Sequence, residues 1–158
     1  MQTNESGSEN ELQRLAHPAT NAWLAVVKAY NICTRSILAR IAPTGLSVLQ
    51  HEILINLLLK PGQSQQELAL KCFSAKSGVS ALLSAFEMDG MIVRKPDKDD
   101  GRQKLLFLTE TGLKQAEINF NIQNEIVGTM ASVFSPESLD ELETGMVQAS
   151  DVLKKTYL

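Results

Sequence analysis

The residues best suited to chemistry crowd into one part of the chain. Arg94, Lys95, Lys98, Arg102 and Lys104 put five basic groups within eleven residues, interleaved with Asp97, Asp99 and Asp100. Cationic side chains at that density suit phosphate oxygens, and an arginine also suits a narrow minor groove. The acids can fix arginine geometry through charge-assisted hydrogen bonds, and Gly101 would let a tip turn sharply and approach a groove closely. Just upstream, Lys76, Ser77, Ser80, Ala81 and Ser84 fall at helical spacing on the side away from Val79, Leu82, Leu83 and Phe86. Small side chains let a helix backbone approach base edges, where hydroxyls both donate and accept. The plainer readings are a solvated hairpin and an amphipathic helix with a serine-rich surface.

Other chemistry is thinly represented. The only histidines are His17 and His51, and no nucleophile, base and orienting group share a pattern. His51 beside Glu52 lacks a third ligand at helical spacing, so no metal site is expected. Asp97 to Gly101 imitates the start of a calcium loop, but the glycine comes one position early and Leu108 stands where a bidentate acid belongs. No cofactor and no enzymatic activity are expected. Cys33 and Cys72 lie too far apart in sequence to suggest a disulfide framework, and Cys33 reads as a packing residue.

The elements that must position these groups are mostly helical. The 158 residues are 44% hydrophobic and 5% aromatic, with a net charge of -3. That suits one domain with an extension, although an acidic chain is not the usual nucleic-acid binder. The distribution is more telling than the total. Residues 60–105 carry eight basic groups against six acidic, while residues 106–158 carry three against eight. The polar start lacks the basic and apolar parts of a secretory signal, and no apolar run is long enough to span a bilayer; a cytoplasmic protein with no membrane partner is expected.

Residues 1–11 read as a disordered tail, and Leu12 to Ile41 as a long helix with Leu15, Ala19, Trp23, Val26, Val27, Tyr30, Cys33 and Ile37 at threes and fours. Ser47 with Gln50 and Ser64 with Glu67 are capping boxes that open two short helices, the first running to Lys60 and the second to about Cys72. A tight connection, Phe73 to Ala75, leads to a helix over Lys76 to Met88. Met91 to Val93 and Leu105 to Leu108 are β-prone, with Arg94 to Lys104 as a long tip between them. Thr109 caps a helix to about Phe134, and Ser135-Pro136 opens another. On that last helix Leu139, Leu142, Met146, Ala149 and Leu153 form a narrow apolar seam of the kind two helices share.

Residues 46–112 resemble the multiple-antibiotic-resistance regulator (MarR) family of winged-helix proteins. The resemblance rests on Ser64 to Ala69, Met88 to Arg94, the stretch Asp97 to Arg102 and the run Leu108-Thr109-Glu110-Thr111-Gly112. It implies a mainly α fold with a small β-hairpin wing, divided into an N-terminal dimerisation helix (12–45), a winged helix-turn-helix DNA-binding lobe (46–109) and C-terminal dimerisation helices (110–158). It further implies a homodimer on double-stranded DNA with a palindromic operator, a recognition helix in the major groove and Arg102 in the minor groove with Asp100 supporting it. The DNA-contacting set is then Lys76, Ser77, Ser80, Ala81, Ser84, Arg94, Lys98, Asp100, Arg102 and Lys104, and the dimer seam is Leu139, Leu142, Met146 and Leu153. Ala81 stands where relatives often carry arginine or lysine, which shifts weight to the serines, Lys76 and the wing. Many relatives answer to small amphipathic effectors, for which Trp23, Tyr30, Arg35 and His51 are the candidate lining, with ordinary packing as the plainer reading. The function expected is transcriptional regulation, as a repressor released by a ligand or a stress signal; the alternative is a winged-helix protein-interaction module.

Overall fold

Serine and threonine side chains set most of the helix starts. The structure, a computed structural model, describes residues 17–158. The tail and the expected helical residues Leu12 and Leu15 lie outside them. The described residues fall into two compact units that divide between Arg35 and Ser36. Helix α1, Thr20–Ile41, begins just after Pro18, and Ile41 is its only buried residue. A 3-10 turn over Ala42–Thr44 ends it, closed by Gly45 at φ 72.

Helix α2, Val48–Leu59, opens with the expected box. Ser47 Oγ accepts from the Gln50 amide, and Gln50 Oε1 accepts from the Ser47 amide at 2.9 Å. His51, Ile53, Leu54, Ile55 and Leu57 are all buried, so α2 is the central helix of its unit. Strand β1, Gln63–Ser64, leads directly into α3, Gln65–Lys71, through the second box, in which Ser64 and Glu67 exchange bonds of 2.8 and 3.2 Å. The amide of buried Gln63 donates to the carbonyls of Asn56 and Lys60 at 2.7 and 2.8 Å, so a side chain closes the end of α2.

Helix α3 ends in a Schellman arrangement. Ser74 N–H donates to Ala69 at 3.0 Å and Phe73 N–H to Leu70 at 3.2 Å. Its left-handed position is held by Phe73 at φ 47, not by glycine. That conformation costs a residue with a Cβ about 1–2 kcal/mol. Helix α4, Lys76–Met88, buries Val79, Leu83 and Phe86, while Leu82 is only half-buried. It ends in the same way, with Met91 N–H on Phe86, Gly90 N–H on Glu87, and Gly90 at φ 67.

Strands β2, Ile92–Pro96, and β3, Lys104–Leu108, pair antiparallel, with Arg94 opposite Leu106 and Pro96 opposite Lys104. The ladder therefore extends well into the stretch expected to be tip, which shrinks to residues 97–103. Strand β1 adds to β3, giving a three-stranded sheet in the order β1-β3-β2. Two residues are too short to show a period of two, so β1 left no pattern in the sequence. Helix α5, Glu110–Ala131, starts at Thr109, and α6, Pro136–Tyr157, starts at Ser135 with proline in its first turn. α5 stops three residues short of Phe134, because Ser132 already bonds back to Thr129.

One cluster, including Leu54, Leu57, Leu68, Val79, Leu83, Phe86, Ile92 and Leu106, joins α2, α3, α4 and the sheet. Each such side chain stabilises the fold by about 1.5–3 kcal/mol. The same cluster fixes the back of α4, and so fixes which side faces out.

Candidate nucleic-acid interface

The outward face of α4 matches its expected composition. Lys76, Ser77, Ala81 and Ser84 are exposed and Ser80 is half-buried. Ser84 Oγ donates to the Ser80 carbonyl at 3.1 Å, so its proton is engaged and its lone pairs point away from the helix. Ala75, the N-cap, makes no side-chain cap. The first-turn amides of α4 therefore add a partial positive charge beside Lys76. No acidic residue occurs between Glu67 and Glu87.

The wing tip is held by its own acids. Asp97 Oδ1 accepts from the Asp99 amide at 3.0 Å and Asp100 Oδ1 from the Arg102 amide at 3.1 Å. Backbone bonds from Asp97 to Gln103 (3.0 Å) and from Gln103 to Asp100 (2.8 Å) close the loop. Two expectations need correction. Asp100 orients the backbone of Arg102, not its guanidinium, because a carboxylate two residues away reaches the amide first. Gly101 does not serve the turn: its φ is not positive, and a Cβ there would meet nothing within 4 Å. Lys98 and Arg102 are both exposed, and neither has an ion-pair partner among the described residues.

Arg94 is engaged within the chain, a role that the sequence did not suggest. Its Nε donates to Glu87 Oε2 at 3.0 Å and its Nη1 to Gln65 Oε1 at 3.3 Å. It ties β2 to the end of α4 and the start of α3, so its guanidinium helps to hold α4 in place. Sequence reasoning missed Glu87 and Gln65: the first lies 7 positions from Arg94 across a change from helix to strand, the second 29 positions away, and no local pattern links either to it. Lys95 lies with Nζ 5.0 Å from the Phe107 ring centre, while Lys104 is exposed at the start of β3. An open cleft of about 670 Å³ runs between α3 and the base of the wing, lined by Gln65, Glu67, Arg94, Asp97 and Lys104 together with Leu70 and Leu105 among others.

The run Leu108 to Gly112 is a weld. Thr109 accepts from the Gly112 amide at the start of α5. The same hydroxyl donates to Gly90 O at 2.6 Å, and Thr109 N–H donates to Met91 O at 2.9 Å. Gly112 sits so close that a Cβ would fall 1.9 Å from Met91 O. The motif thus fixes the wing, the end of α4 and α5 in one geometry.

This arrangement agrees with comparison to known proteins. The MarR family model matches residues 44–103. Those residues hold the helices and the first two strands of the winged helix-turn-helix. The fold of most of the chain is that of MarR structures. Staphylococcus aureus MepR in a DNA-binding conformation is 23% identical, with a TM-score of 0.75 over 85% of this chain and 98% of that one. A Listeria monocytogenes MarR-family regulator complexed with 26mer DNA is 16% identical, with a TM-score of 0.73 over 83% and 87%. Bordetella bronchiseptica BpsR, whose DNA binding is regulated by 6-hydroxynicotinic acid, is 16% identical, with a TM-score of 0.69 over 86% and 97%. No curated protein matches the sequence.

Outside the MarR match, α6 is almost wholly exposed. Leu142, Met146 and Leu153 are 42%, 41% and 54% exposed, Leu139 is half-buried, and no residue of the helix is buried. In α1, Trp23 and Tyr30 are 60% and 63% exposed and Arg35 is exposed, so packing inside this chain does not account for them. His51, by contrast, is buried in the other unit, with Nε2 2.9 Å from Gln123 Oε1. Burial pushes its pKa below the usual imidazole value, against the smaller effect of that bond. Burial, helped by the charge of Glu52, pushes the Cys72 thiol up to about 11, which keeps it protonated and unreactive. Cys33 is half-buried, short of the burial expected. Among the described residues no group of three or more His, Cys, Asp or Glu could hold a metal, and no helix is long and apolar enough to cross a membrane.

Proposed function

We propose that this protein is a sequence-specific transcriptional regulator that represses by binding a palindromic double-stranded operator as a homodimer. The carrying observation is the joint geometry of α4 and the wing. The acid-free face of Lys76, Ser77, Ser80, Ala81 and Ser84 and the cations Lys98 and Arg102 are presented by one core and one weld. α4 enters the major groove, where the serines and the methyl of Ala81 meet base edges, and Lys76 meets phosphate. Arg102 enters the adjacent minor groove, Asp100 shapes the tip that carries it, and Lys98 and Lys104 meet the backbone. Arg94 contributes by positioning α4.

Dimerisation falls to residues 12–45 and 110–158. A 22-residue helix with no buried residue gains little stability alone. The seam Leu139, Leu142, Met146 and Leu153 supports a second copy as its cover. Release by a small amphipathic molecule is the regulatory reading. It is favoured by Trp23 and Tyr30, two turns apart on α1 and exposed, with Arg35 available for a carboxylate. BpsR supplies a relative of the same fold whose DNA binding answers to an aromatic acid. His51, bonded to Gln123, is a packing residue in this scheme.

The test is selection from random-sequence duplexes with the purified full chain. An enriched inverted repeat with half-sites about one helical turn apart is the expected result. Failure to enrich any duplex, with the folded protein intact, would leave the protein-interaction reading in its place.

A further inference from the structure

Phe73 occupies the least hospitable position in the helix-turn-helix for an aromatic residue. It is the left-handed residue of the turn after α3, where glycine is the usual occupant because it has no Cβ to clash. Its side chain is 97% exposed, so packing within this chain returns nothing for the conformation. Strain held at an exposed site points to a contact outside the molecule. The surroundings indicate which contact. Ala75, two residues on, is the N-cap of α4, so the ring stands at the edge of the face proposed above for DNA. Exposed Lys71 and Lys76 flank it, and residues 68–86 contain no acid. Two exposed lysines, with Glu52 near enough to act on the Cys72 thiol but no acid in the turn itself, suit a polyanion better than an acidic protein surface.

We propose that Phe73 is an apolar DNA contact that strengthens binding, its ring meeting a deoxyribose face or a thymine methyl at the margin of the major groove. The proposal rests on the DNA-binding reading. Its chemistry differs from that of the charged contacts: an apolar contact releases no counterion, so it adds affinity without adding salt dependence.

The experiment uses the full chain and a duplex selected by the wild-type protein. Phe73→Gly and Phe73→Asn both accept the left-handed conformation and both remove the ring. Each should raise the melting temperature by about 2–4 °C. Each should weaken binding about tenfold, with the slope of log K against log salt unchanged. Phe73→Tyr should keep affinity within about twofold. Replacing thymines one at a time by deoxyuridine separates the two targets. A loss confined to one thymine and absent in Phe73→Asn assigns its methyl, while no loss at any assigns the sugar. Unchanged affinity in Phe73→Asn would overturn the proposal, as would a lower melting temperature, which would make the ring a support of the fold. Intact DNA affinity with weakened self-association would overturn it in favour of a protein contact. A wild-type protein that selects no duplex would instead refute the DNA-binding reading, and this inference with it.

Discussion

Gly112→Ala tests the weld between the wing and α5. The built Cβ lies 1.9 Å from Met91 O and 2.9 Å from Met91 C, both backbone atoms that cannot rotate away. Restoring ordinary contact means opening the gap by about 1.5 Å. A shift of that size breaks the Thr109 bonds to Met91 O (2.9 Å) and Gly90 O (2.6 Å). Two lost hydrogen bonds cost about 1 kcal/mol each. Overpacking adds about 1–3 kcal/mol, and the better helix propensity of alanine returns about 1 kcal/mol. The net is a destabilisation of about 2–4 kcal/mol, or roughly 5–15 °C in melting temperature. Calorimetry or urea unfolding reads this directly. Gly101→Ala is the matched control: nothing lies within 4 Å of its Cβ, so its stability should stay within about 0.5 kcal/mol of wild type. Wild-type stability in Gly112→Ala would show that the close approach positions nothing.

Arg102→Ala should leave melting unchanged, since the bond that Arg102 makes to Asp100 comes from its backbone. It should weaken the selected duplex by about 1–3 kcal/mol and flatten the salt slope by about one ion; normal affinity would make the wing tip a bystander. Met146→Glu with Leu153→Glu places two charges on the α6 seam and should convert a dimer into a helical monomer in sedimentation; an intact dimer would refute the seam. Burial lowers the His51 pKa in the folded chain below the value near 6.5 usual for the unfolded one, so the unfolded state binds more protons as pH falls. Melting temperature should therefore drop from pH 7 to pH 5, and His51→Gln should flatten that drop; an identical slope would place the acid sensitivity elsewhere. Glu52, whose pKa burial raises, acts in the opposite direction at lower pH.

Local signals made most of the elements legible. Ser47, Ser64, Thr109 and Ser135 each cap the helix expected of them, because a cap and its partner lie within three residues. Helix α4 is bounded as expected by Lys76 and Met88. Long-range consequences were not legible. Arg94 looks like a free cation until folding brings Glu87 and Gln65 to it. Asp100 looks like a guanidinium partner until the tip geometry hands it the Arg102 amide. Thr109 to Gly112 was recognisable as a motif, but only the 1.9 Å approach to Met91 explains why glycine stands there. Trp23 and Tyr30 fit a core by period yet are exposed, because periodicity marks an apolar face without saying which molecule covers it.

The acidic total charge and the proposed polyanionic partner are reconciled by position, and that is where the account is most directly tested. An equilibrium titration of the selected duplex at several salt concentrations reads both affinity and the number of ions released. The account predicts two protomers per duplex and a steep linear fall of log K with log salt, several ions in size, reduced by about one per protomer in Arg102→Ala. A flat salt dependence, or binding that ignores the sequence of the duplex, would contradict it.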